Sequence, residues 1–159
     1  MNTTPTPAVR KVFLPPRAHQ DRVNITPIQA VDEAAWVWHP ELAIDEPAFL
    51  VFRADFEAQA DETLRFHVSA DQRYELYADG VRVAKGPDRS DVDHWSYATF
   101  DWQPGAGEHV LEAHVWWIGS QAPEGLVSWR GGFLFKAEGD WDERLTSGIV
   151  DPNELRQHI

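Results

Sequence analysis

Aromatic rings set close to Arg and Asp side chains are the groups in this sequence best suited to a chemical task, the holding of a sugar. A flat aromatic makes C–H contact with one face of a pyranose, while neighbouring charged and amide groups hydrogen-bond its hydroxyls. Arg73, Trp95, Tyr97 and Trp129 fit that pattern. Trp95 follows a polar loop, Trp129 sits in the longest loop, and Arg73 opens a strand beside Asp71. The competing reading is that Trp95 and Tyr97 belong to the core and that Arg73 pairs with Asp71.

Other clusters carry less. Asp88, Asp91, Asp93 and His94 gather the oxygen donors a hard cation takes, but the spacing lacks the glycine and terminal glutamate of an EF-hand, so a solvated acidic turn is expected. His109 and His114 lie an odd number of positions apart on one strand, hence on opposite faces, and cannot jointly hold a metal without a bulge. Gly105-x-Gly107 precedes a strand and lacks the lysine of a phosphate-binding loop. None of Ser69, Ser90, Ser96, Ser120, Ser128 and Ser147 sits in a Gly-x-Ser-x-Gly elbow, so a hydrolase triad has no support in the sequence. A glycosidase needs two carboxylates about 5 to 9.5 Å apart, and among 26 Asp and Glu such pairs arise by chance. The expectation is therefore no catalytic residue, no metal and no cofactor.

The chain that must position these groups has 159 residues, the length of one domain with a real core. A hydrophobic fraction of 43% with eight Trp supplies enough burial to offset conformational entropy, which excludes disorder for the chain as a whole. Net charge is -12, so phosphate backbones and anionic membranes are repelled; neither nucleic acid nor a membrane is an expected partner. The charge is scattered through turns, as solubility requires. With no cysteine there is no disulfide, no thiolate nucleophile and no Cys-ligated zinc. No signal peptide or membrane-length apolar run is visible, so the location is left open with the cytoplasm as the default. For a piece of a longer product, that reading applies to the piece alone.

Residues 1–33, rich in Pro and Thr, read as an extended lead-in with an edge strand around Arg22 to Thr26. Trp36 and Trp38 alternate with Val37 as a strand that His39-Pro40 closes. From Phe49 to Glu57, Leu50, Phe52, Ala54 and Phe56 form one face against Arg53, Asp55 and Glu57, the alternation of an antiparallel sheet with one wet side. Leu64, Phe66 and Val68 repeat it with Arg65 and His67 outside. Tyr74 to Ala78, Asp79-Gly80 and Val81 to Val83 make a hairpin whose turn tolerates positive φ. A strand beginning at Trp95 and Tyr97 follows, then turn chemistry at Gln103 to Glu108 and a strand from His109 to Trp117. Trp116 and Trp117 face opposite ways, so one of them leaves the inner core. Phe133 to Ala137 is the last strand, and Pro152 to Arg156 offers a helix start or a linker.

Short strands at regular spacing, with almost no 3.6 period, predict an all-β antiparallel sandwich. The organisation expected is a lead-in over 1–33, a sandwich over 34–141 and a tail or linker stub over 142–159.

In order, Ala35-Trp36-Val37-Trp38-His39-Pro40, Phe52-Arg53-Ala54-Asp55-Phe56, Ser69 to Tyr77 with Asp79-Gly80 and Gly86-Pro87, His94-Trp95-Ser96-Tyr97, Pro104-Gly105 and Arg130 to Phe135 resemble the N-terminal β-sandwich of bacterial α-L-rhamnosidases. Together they span roughly Ala34 to Trp141. The family commonly has an acidic residue after the aromatic of its His-Trp-x-Tyr block, where this chain has Ala98, which weakens any polar contact inferred there. The resemblance implies a jelly roll related to galactose-binding modules. It also implies an accessory role, since hydrolysis in that family belongs to a helical barrel further along the chain, and it transfers no catalytic residue. Partners expected on this reading are a carbohydrate, a catalytic domain or a second copy of the chain. An independent sugar-binding protein and an oligomerisation module are the alternatives.

Overall fold

The computed structural model describes residues 7–12, 34–43, 46–88, 96–122 and 130–145. Among these, eight strands form two four-stranded antiparallel sheets: β1 (Ala8–Val12), β2 (Ala48–Ala58), β3 (Leu64–Ala70), β4 (Arg73–Ala78), β5 (Val81–Gly86), β6 (Ala98–Gln103), β7 (Gly107–Trp117) and β8 (Phe133–Ala137). Sheet one has the order β1-β6-β3-β8 and sheet two the order β2-β7-β4-β5. Consecutive strands therefore change sheets at every step except β4 to β5, the one pair joined as a hairpin within a sheet. The chain is an all-β sandwich, as its alternation predicts.

That hairpin has the turn chemistry its sequence announces. Asp79 and Gly80 both take positive φ, 49° and 77°, which the mirror-image turn needs in order to follow the twist of the strands. Asp79 then fixes the tip against β7. Its carboxylate accepts the Val110 N–H at 2.9 Å and lies 2.8 Å from His109 Nδ1, and its own N–H donates to the Val110 carbonyl.

The inner faces meet through aromatic rings. Phe52 of sheet two stacks on Phe133 of sheet one with centroids 4.7 Å apart, and Phe56 meets Trp102 edge to face at 5.5 Å. Within sheet one, Phe66 lies stacked between Phe100 and Phe135. A 3-10 turn at Gly139–Trp141 leads into the short helix α1 (Asp142–Leu145) and sets the buried Trp141 edge to face against Phe56. Offset and edge-on rings of this kind add about 0.5 to 1.5 kcal/mol per pair beyond the area they bury.

Four readings change. Strand β1 lies inside the segment read as lead-in, where its register puts Arg10 opposite Asp101 of β6; the expected strand at Arg22 to Thr26 and helix start at Pro152 lie outside the described residues. Trp36 to Trp38 contributes only a bridge between Val37 and Phe133, because its rings lean on glycines instead of pairing along a ladder: a β-carbon on Gly131 would sit 2.2 Å from Trp38, and one on Gly132 2.8 Å from Trp36. The strand expected from Trp95 begins at Ala98. His67, expected outside, is fully buried. Around His67 the outer face of sheet one is itself covered, with Ser69, Thr99, Leu134 and Lys136 buried as well, so alternation there separates two interiors and not an interior from water.

Candidate binding face

Among the described strands, those of sheet two alone expose large apolar side chains. Its register lays the outward side chains in rows across the strands: Phe49, Trp116 and Arg73 in the first, Val51, His114, Glu75 and Lys85 in the second, Arg53, Glu112, Tyr77 and Arg82 in the third. The inward neighbours Trp117, Val115 and Leu76 are buried. Phe49 is 59% exposed and Val51 42%, although both are strand residues with a large apolar surface.

The first row is an aromatic stripe ending in a cation. Phe49 and Trp116 stack with centroids 6.3 Å apart and planes 24° apart, and His114 meets Phe49 edge-on at 5.8 Å. Arg73 is exposed beside Trp116. Behind it the third row is tied down. Arg53 donates to Asp55 at 2.7 Å and to Glu112 at 3.2 Å, and the Asp55 bond above all holds the guanidinium in its charged form. Arg82 and the Tyr77 hydroxyl both donate to Glu75, while the Tyr77 ring lies 4.4 Å from that of His114.

These contacts decide what the face can do chemically. The Tyr77 hydrogen bond, with help from Arg82, holds Glu75 below the usual carboxylate range. A glycosidase acid needs the opposite shift, a carboxyl kept protonated near neutrality. Asp55, Glu75 and Glu112 are each held by a cation, and what the face offers a ligand is ring surface flanked by hydrogen-bonding groups.

Elsewhere, three groups line up as in a hydrolytic relay. Thr99 Oγ1 is 2.8 Å from His67 Nδ1, and His67 Nε2 is 2.7 Å from Glu138 Oε1. Geometry alone does not make a nucleophile, since the attacking hydroxyl must reach a substrate. Thr99 is 3% exposed and His67 not at all. The chain of bonds ties β3, β6 and the residue after β8 together.

The candidates from sequence are not brought into one place. Arg73 joins the first row of sheet two. Tyr97 stands on the far side of the sandwich, its ring edge-on to His67 at 5.6 Å and half-buried on the outer face of sheet one. Trp95, Trp129, Asp91, Asp93 and His94 lie outside the described residues. His109 and His114 do face opposite sides: His109 touches the inner rings of Phe56 and Trp102, His114 the outer ring of Tyr77. Phe49, Val51 and Tyr77 were missed as site residues. A signal existed in the shared odd parity of Phe49 and Val51 with Arg53, which marks them as outward.

No family model matches the sequence, and no curated protein matches it. Among solved structures, the chain is similar to the crystal structure of the GH78 family rhamnosidase of Bacillus sp. GL1, with a TM-score of 0.57 and 25% sequence identity. The likeness covers 69% of this chain and 12% of that enzyme. This chain thus corresponds to a small part of that rhamnosidase's length.

Proposed function

We propose that this chain is a non-catalytic accessory domain of a rhamnosidase-type glycoside hydrolase, a jelly roll of the galactose-binding kind whose sheet-two face contacts carbohydrate. The observation that carries the reading is the unequal coverage: most of the sandwich matches a rhamnosidase that is far longer. Strand succession supports the jelly roll, since crossing from sheet to sheet at nearly every step is how such a sandwich winds. The stripe of Phe49 and Trp116 beside Arg73 supports the sugar contact, supplying ring surface and a donor fork at one spot. Tyr97 would belong to a separate contact, because it faces away from this stripe. A face so shallow binds single sugars weakly.

Two measurements test the reading. Purified chain incubated with an aryl rhamnoside is expected to release no nitrophenol, and turnover that survives repurification would overturn the accessory role. Titration with rhamnose, galactose and oligosaccharides, followed by tryptophan fluorescence, is expected to saturate for the parent chain and not for Trp116→Ala. Identical curves for the two would remove the sugar contact from this face.

A further inference from the structure

Each sheet has two edge strands, and three of these four edges are blunted. β1 is five residues long and carries Arg10 and Lys11. β8 is five residues long, with Val37 bridged to its first residue and the Asp142 carboxylate of α1 bound to Lys136. β5 is six residues long, exposes Arg82 and Lys85, and breaks register against β4 between Leu76 and Tyr77. Shortness, charge, cover and irregularity are the devices by which proteins keep a sheet edge from recruiting another strand.

β2 lacks them along its first half. It runs eleven residues in unbroken register with β7, has no strand on its other side among the described residues, and exposes Phe49 and Val51. Its charges come later, and Arg53 and Asp55 already satisfy each other. A straight edge with unpaired N–H and C=O groups and apolar side chains is completed by a strand.

We propose that the strand is β2 of a second copy, paired antiparallel about a two-fold axis through Val51. In this register Val51 faces Val51 of the second copy, and Phe49 faces Arg53 of the second copy in both halves. Both exposed apolar side chains are then covered, and each guanidinium lies over a ring while keeping its Asp55 partner. A register centred on Arg53 would oppose like charges, and one centred on Phe52 would set Phe49 against Asp55. The result is an eight-stranded sheet that leaves Trp116 and Arg73 outward, so that in the dimer these two, and not Phe49, carry the sugar contact. Because each copy carries a net charge of -12, the dimer forms more readily as salt screens the repulsion.

The chain has no cysteine, so Val51→Cys is a clean test: the residue meets its own copy, and directly opposed α-carbons about 4.5 to 5.5 Å apart lie within the span of a disulfide. Mild oxidation is expected to give a covalent dimer from Val51→Cys and little from Asp55→Cys. Sedimentation of the unmodified chain between about 10 µM and 1 mM, the range for so small an interface, is expected to show a monomer–dimer equilibrium that added salt favours. Val51→Lys, at an exposed site, is expected to remain monomeric with an unchanged near-ultraviolet spectrum. A parent chain that stays monomeric throughout overturns the proposal. A dimer that survives Val51→Lys does so too, as does equal cross-linking at position 55.

Discussion

Phe49 and Trp116 stack across β2 and β7 on the outer face of sheet two, 6.3 Å between centroids, while the very next residue, Trp117, is buried in the core. Adjacent tryptophans on one strand thus serve two environments, and substituting them separates binding from stability.

Trp116→Ala is expected to cost less than about 1 kcal/mol, as for other partly exposed positions. Trp102→Ala, which empties a site packed by Phe56 and His109, is expected to cost about 3 to 5 kcal/mol. Urea denaturation at constant slope measures both, and equal losses would refute the assignment of Trp116 to the surface.

Gly86 and Gly131 are expected to reject any side chain. A β-carbon at Gly86 would lie 2.5 Å from the Tyr74 hydroxyl, and one at Gly131 2.2 Å from the Trp38 indole. Either alanine variant should lose about 1 to 3 kcal/mol through overpacking, with a lower melting temperature as the readout.

Tyr74→Phe is expected to leave stability unchanged or raise it. The Tyr74 hydroxyl is buried with no hydrogen-bond partner among the described residues, and burial pushes its pKa up. Removing a desolvated, unpaired hydroxyl costs no bond. A drop of more than about 1 kcal/mol on chemical denaturation would reveal a bond of typical strength.

Acid stability is expected to run through Asp101. Arg65 donates to it at 2.7 and 2.9 Å, and that pairing holds the carboxyl below its usual range. A depressed folded value means the stabilisation is fully present above the unfolded pKa, about 3.9. It is lost as pH falls through the lower folded value. Asp101→Asn should therefore melt below the parent at pH 7, by the equivalent of about 1 kcal/mol given the exposed Arg65. The two melting curves should converge as pH falls through that lower folded value and the parent carboxyl protonates.

Thr99→Val is expected to cost about 1 to 2 kcal/mol, because it leaves a buried imidazole nitrogen of His67 unpaired while preserving shape. The variant should match the parent in any residual hydrolysis of aryl esters. Loss of such turnover would return the Thr99–His67–Glu138 chain to the catalytic candidates.

Legibility followed the local character of each interaction. Period-two patterning in β2, β4 and β7 and the Asp79-Gly80 turn could be read directly, since side chains alternate along a strand whatever lies opposite and φ preferences are set within the residue. Trp36 to Trp38 failed as a strand because its rings are seated by Gly131 and Gly132, far along the chain. Arg73 and Tyr97 fall apart for a related reason, since Arg73 opens β4 of sheet two and Tyr97 just precedes β6 of sheet one.

The sequence by itself determined that this is an antiparallel sandwich, where its tightest turn falls, and which faces of β2 and β7 look inward, all consequences of backbone geometry within a few residues. Tertiary structure alone decided that His67 is interior, that the outer face of sheet two leaves Phe49 and Val51 exposed, and that Phe49, Trp116 and Arg73 share a row. Those outcomes depend on which strands pair and in what register, and pairing is settled by contacts between residues tens of positions apart, which no local pattern encodes.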